Sequence, residues 1–160
     1  MDIPLFPEKP GKVSNSAKWN ARLALLLSAP LNWLPPSIIE KILYRLTRRY
    51  PSASKEQVQV IRDAVCTVSK RCRSQGGCLR RSLAVVVATW LKRRFVSWCT
   101  GYALEPFRAH AWVELDSIPI GEPDEMSLYS KVISVSNYDE EKLQEKRETI
   151  IQKPKELEQD

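Results

Sequence analysis

Gly76-Gly77-Cys78-Leu79-Arg80-Arg81-Ser82-Leu83-Ala84-Val85-Val86-Val87-Ala88-Thr89-Trp90-Leu91 is the stretch from which the rest of the chain can be laid out. Paired glycines are poor helix formers, so they divide a helix beginning at Cys78 from any helix before them. From Cys78 onward, Leu79, Leu83, Val86, Val87 and Trp90 recur at i, i+4, i+7, i+8 and i+11, which predicts a helix running to about Phe95. No charge falls between Leu83 and Leu91, so this helix is expected to be deeply buried.

Working toward the N-terminus, Val58, Ile61, Val65, Val68 and Cys72 form one stripe, a helix over 55–72 opened by the capping box Ser54-Lys55-Glu56-Gln57. Before it, Ser37-Ile38-Ile39-Glu40 has the same capping pattern. Ile38, Ile39, Ile42, Leu43 and Leu46 then predict a helix over 37–49, closed by Pro51. An earlier helix starts near Ala17, with Trp19, Leu23 and Leu26 or Leu27 at helical spacing. Residues 1–15 are rich in proline, lysine and serine and are expected to be flexible.

Past Phe95 the pattern changes. Val96 to Ala103 is β-branched and aromatic and reads as a strand, Glu105 to Arg108 as a turn, and Ala109 to Leu115 as a second strand. Asp116-Ser117 turns into Ile118–Ile120, and Tyr129 to Val135 reads as the last strand. Helices first and strands later imply an α+β domain over 16–138, with an antiparallel sheet against the Cys78 helix. The tail, 139–160, reads as a solvated helix stopped at Pro154.

A chain of 160 residues, 43% hydrophobic and 28% charged, suits one globular domain and is too apolar for a disordered segment. The net charge of +6 divides into −3 on 139–160 and therefore +9 on 1–138. Such a core favours an acidic partner, a peptide or protein surface as readily as a nucleic acid. No nucleic-acid motif accompanies the basic residues. The apolar run Leu23–Leu34 is broken by Pro30 and followed by Pro35 and Pro36, too short to cross ~30 Å of hydrocarbon. With no signal-like start, the expectation is a cytoplasmic chain with no membrane insertion and reduced thiols. In that setting cysteines point to catalysis or metal more than to disulfides.

Cys78 is the residue to which that applies. At the first turn of a helix it meets unpaired backbone N–H groups and the positive helix end, both of which favour a thiolate. The same amides can donate to an oxyanion at an attacked carbonyl, and the preceding glycines would let a substrate backbone come close. The chain's single histidine, His110, stands in Arg108-Ala109-His110-Ala111-Trp112-Val113-Glu114 and is the one candidate for a base. A third group must orient the imidazole. Asp116, six residues along the same strand, would lie about 20 Å away. A hairpin turning near Ser117 instead returns residues 122–125 beside His110, with Glu122 the first choice and Asp124 the second. Cys66, Cys72, Cys78 and His110 could be read as metal ligands, but their spacings lack the close pairs typical of zinc sites, so neither metal nor cofactor is expected.

Gly77-Cys78-Leu79-Arg80-Arg81-Ser82-Leu83-Ala84 together with Pro106-Phe107-Arg108-Ala109-His110-Ala111-Trp112-Val113-Glu114-Leu115-Asp116 resembles the leader peptidases of lasso-peptide biosynthesis, which are transglutaminase-like proteins. The resemblance covers about residues 30–135 and implies a papain-like fold with a Cys-His-Asp triad. Carried onto this chain, it makes Cys78 the nucleophile and His110 the base. The family's acid lies about a dozen residues past the histidine, which is Glu122 here in place of aspartate. The family's glycine after the strand is replaced by Ser117.

The implied activity is removal of the leader from a ribosomally made precursor peptide. Some relatives carry a leader-binding domain of about eighty residues in front; here the preceding residues read as helices of the peptidase domain. The resemblance therefore implies a separate leader-recognition protein as partner and an ATP-using macrolactam synthetase as the next enzyme. The basic residues Arg80, Arg81, Arg93 and Arg94 are candidates for gripping an acidic leader. The rival expectation is an inactive or acyl-transferring relative that serves as a scaffold, for which the glutamate at 122 is the support.

Overall fold

The computed structural model describes residues 10–137 and Glu145. The expected flexibility of 1–15 falls mainly, and the helical tail almost wholly, outside the described residues. Helix α1 (Asn15–Ser28) is capped by Ser14, whose hydroxyl accepts from the Ala17 amide, and runs into a 3-10 turn at Ala29–Trp33. Helix α2 spans Pro36–Thr47 and α3 spans Lys55–Val68. A short α4 (Lys70–Arg73) then leads to α5 (Cys78–Leu91). Four strands follow: β1 (Ser97–Leu104), β2 (Phe107–Leu115), β3 (Ile118–Pro119) and β4 (Ser130–Ser134). They form one antiparallel sheet in the order β3-β2-β1-β4. The result is the expected α+β arrangement, N-terminal helices packed on a small antiparallel sheet.

Several boundaries move for local reasons. The capping box at Ser54–Gln57 forms as expected, each side chain meeting the other's backbone. The one at Ser37 does not. Pro36 begins α2, because proline lacks an N–H and has φ preset for the first helical position, which leaves Ser37 inside the helix. The expected helix over 55–72 breaks at Ser69, whose side chain accepts from the Cys72 amide and starts α4. Phe107 and Arg108, assigned to a turn, belong to β2 and pair with Leu104 and Ala103.

Helix α5 is the centre of the molecule. Every residue from Arg81 to Thr89 is buried. Leu83, Val85 and Val86 join Ile39, Leu43, Val58, Val65, Phe95, Trp98 and Val113 in one core. The Trp98 indole donates to Ser82 Oγ at 3.1 Å and pins α5 to β1. Burying one such side chain contributes about 1.5–3 kcal/mol, and α5 buries several of them.

Helix α1 is built the other way out. Its inward face is Ala17, Ala21, Ala24 and Ser28, while Trp19, Leu23, Leu26 and Leu27 face solvent, followed by Trp33 at 90% exposure. Small residues let the backbone come close to α5, and the large apolar ones are left outside. No helix among the described residues is long and apolar enough to cross a membrane.

Candidate active site

Cys78 opens α5 directly after Gly77. The closeness of the preceding turn explains the glycine: a Cβ on Gly77 would lie 2.0 Å from the Arg71 carbonyl oxygen, whereas one on Gly76 would meet nothing within 4 Å. The expected role of the glycines, admitting a substrate backbone, is thus open only to Gly76. Gly77 serves packing of the chain on itself.

His110 stands on β2 opposite Gly101 of β1 and is buried. Alternation along β2 sends Ala111, Val113 and Leu115 into the core and His110, Trp112 and Glu114 to the other face. The imidazole stacks at 6.0 Å on Trp112 and is flanked at 5.6 Å by Tyr129. A Cβ at Gly101 would strike the Ser130 carbonyl oxygen at 2.4 Å and Trp112 Cη2 at 2.9 Å, so this aromatic wall depends on the missing side chain.

The hairpin delivers the acid. Asp116 and Ser117 take left-handed φ of 49° and 65°, the twist a two-residue turn needs, and Glu114 and Leu115 pair with Pro119 and Ile118. The Ile120 amide continues the ladder to the Val113 carbonyl at 3.0 Å. Glu122 then arrives with Oε2 2.8 Å from His110 Nε2. Its remaining oxygen, Oε1, lies 3.5 Å from Arg81 Nη2 and 3.9 Å from Arg62 Nη2. Glu122 and His110, two of the three residues singled out in the sequence, are therefore in contact. Asp116 is spent in the turn. The Asp124 side chain lies outside the described part.

Cys78 shares a hydrogen bond with the same imidazole. Burial opposes a thiolate here, but a hydrogen bond to His110, the Ala111 backbone amide and the charges of His110 and Arg81 outweigh it and hold the thiol below its ordinary range. For His110, burial opposes the charged ring. Hydrogen bonds to Cys78 and Glu122 and the charges of both raise it to about 9. The two shifts run the same way, both favouring the thiolate–imidazolium form of the pair. Since Glu122 occupies Nε2, Nδ1 is the nitrogen left for the thiol. The arrangement can take a thiol proton and return it to a leaving amine.

Sequence reasoning missed Arg81 and Arg62. Arg81, grouped there with the candidates for gripping a leader, is 2% exposed, and its Nη1 donates to the Cys72 carbonyl at 2.8 Å. Arg93 and Arg94 are exposed, as a surface role requires. A pair of arginines, Arg80 and Arg81, one turn into an otherwise apolar helix was the available signal.

Beside Glu122 opens a cleft of about 420 Å³ lined by Trp112, Pro119, Met126, Tyr129 and the Glu114–Lys131 ion pair, among others. Among the described residues no three His, Cys, Asp or Glu side chains are grouped for a metal ion.

No curated protein and no solved structure is significantly similar to the chain. The model of one family does match, over residues 21–134, a span that holds Cys78, His110, Glu122 and both arginines. Its domain is the one carried by lasso-peptide biosynthesis B-like proteins. With helices packed on a small antiparallel sheet and a cysteine at the mouth of the central helix, the chain belongs to the transglutaminase-like superfamily.

Proposed function

We propose that this protein is a cysteine peptidase that removes the leader from a ribosomally made lasso-peptide precursor, acting with a separate leader-recognition protein. The observation that carries the reading is the buried His110 imidazole, bonded by Glu122 at Nε2 and sharing a hydrogen bond with Cys78. Cys78 thiolate attacks the carbonyl at the leader–core junction, and unpaired amides at the start of α5 donate to the oxyanion. His110 gives its proton to the departing core-peptide amine. It then takes one from water, which attacks the thioester and releases the leader carboxylate with the thiol restored. The basic surface, including the exposed Arg93 and Arg94, favours an acidic leader or helper. The macrolactam synthetase would take the released core peptide.

Mass spectrometry of the precursor incubated with this protein and its helper tests the reading. The expected products are leader acid and core amine, both lost in Cys78→Ala. An intact precursor under every helper combination would refute it.

The second reading is an inactive or acyl-transferring scaffold of a biosynthetic complex. It is favoured by the division of Glu122 among His110, Arg81 and Arg62, which leaves the imidazole only part of the carboxylate's attention. Transfer would show as a leader joined to an added amine. An inert scaffold would show a Cys78 no more easily alkylated than an ordinary thiol.

A further inference from the structure

Glu122 is a junction of three elements. Its carboxylate joins His110 on β2, Arg81 on α5 and Arg62 on α3, and the side chains involved are at most 8% exposed. Arg81 sits three residues after Cys78 on the same helix, so anything it holds is indexed to the nucleophile. Its other arm grips the Cys72 carbonyl in α4, behind the turn that delivers Cys78. Gly121 presses on Arg62 from the acid's side: at φ +66°, an added Cβ would lie 2.6 Å from Arg62 Nε. The planar fork of a guanidinium holds a carboxylate and a carbonyl in a fixed geometry, which the freely turning donors of an ammonium do not.

We propose that Arg81 is a positioning residue for the thiol–imidazole pair, tying the carboxylate that orients His110 to the helix that carries Cys78, with Arg62 as a second arm of the same clamp. The inference rests on the roles proposed for Cys78 and His110. Without Arg81, the carboxylate keeps only the more distant guanidinium and the imidazole. Its orientation is no longer referred to α5, and the ring tilts away from the thiol. Among the described residues, the other charged or titratable groups facing this cluster are Asp63 and Cys66 from α3, Cys72 from α4 and Tyr129 ahead of β4.

The test needs no substrate. Iodoacetamide labelling of Cys78 in the purified full chain is followed against pH by peptide mass spectrometry. Folding of each variant is checked by thermal melting. The parent is expected to label below the ordinary thiol range. Arg81→Met should move the midpoint upward by about one pH unit, Arg81→Lys should recover part of the shift, and Arg62→Met should move it less in the same direction. In a Glu122→Gln background the Arg81→Met shift should shrink by at least half, since the arginine acts through the carboxylate.

An Arg81→Met curve lying on the parent's, or an equal shift in both backgrounds, overturns the inference. If Arg81→Met fails to fold, Arg62→Met decides, and its coincidence with the parent overturns the clamp. A parent Cys78 that labels like an ordinary thiol defeats the proposed function itself and this inference with it, whereas a reactive parent with unmoved arginine variants defeats the inference alone.

Discussion

Two thiols of this protein, Cys78 and Cys99, each have charged groups close by, yet their chemistry diverges. Cys78 faces an imidazole whose far side is held by Glu122, and its thiol falls below the ordinary range. Cys99 lies on β1, 3.5 Å from Ser134 Oγ, with Glu114 as its charged neighbour and Lys131 bonded to that carboxylate. Burial, then the charge of Glu114, push Cys99 far up. The difference is the order of the groups. An imidazole placed between thiol and carboxylate turns the acid's charge to the thiolate's benefit, and a carboxylate next to the thiol opposes it. Proximity of charged residues to a cysteine says little until that order is known.

The largest expected effect is on Cys78 itself. Cys78→Ala should reduce precursor cleavage to background and leave partner binding intact, as read by mass spectrometry and a pull-down. Cleavage surviving at Cys78→Ala, or transferred to a Cys99-dependent route, would break the comparison.

Replacing His110 with glutamine should cost about 10²–10⁴-fold in cleavage, the usual contribution of a placed acid–base group. It should also return Cys78 alkylation to the pH range of an ordinary thiol.

The pH dependence sharpens the contrast next. Because the Cys78 shift is downward and that of His110 upward to about 9, cleavage should rise as pH passes the lowered thiol value. It should fall as pH rises through about 9, where the imidazolium proton is lost. Cys99, shifted the other way, should stay unlabelled across that window in the folded protein. Comparable labelling of both thiols near neutral pH would undo the argument.

The smallest effect belongs to the second cluster. Glu114→Gln removes the partner of the half-exposed Lys131 but keeps an acceptor for the Trp112 indole, 3.2 Å away. It should cost about 1 kcal/mol in a denaturant melt, because the lysine can turn to water. Cleavage should change little. A loss as large as that of His110→Gln would mean the two clusters work as one.

Much of this was legible beforehand because the deciding features are local or periodic. The charge-free run from Leu83 to Leu91 marked the buried helix, and the Asp116-Ser117 turn returned Glu122 to His110 by simple strand counting. What escaped was non-local. Arg81 reads as a surface cation until a carboxylate 41 residues later is folded onto it. The facing of α1 was ambiguous because Trp19, Leu23 and Leu26 have helical spacing on whichever side they lie. Tight packing on α5 settles it in favour of the alanine face. Ser37 matched a capping pattern, but the proline before it had already fixed where the helix begins.

The turn at Asp116-Ser117 has a consequence for how the chain can vary in length. Between it and Glu122 lie four residues, Ile118 to Gly121, the first two paired to β2 and the third bonded to Val113. Adding or removing one residue there would send the carboxylate off the opposite side of the ribbon, since alternate residues leave a strand on alternate faces. The distance from base to acid is thus written as a count of residues. Insertions should be tolerated at the Glu105-Pro106 turn, which joins β1 to β2 at the other end of β2, and rejected in this stretch.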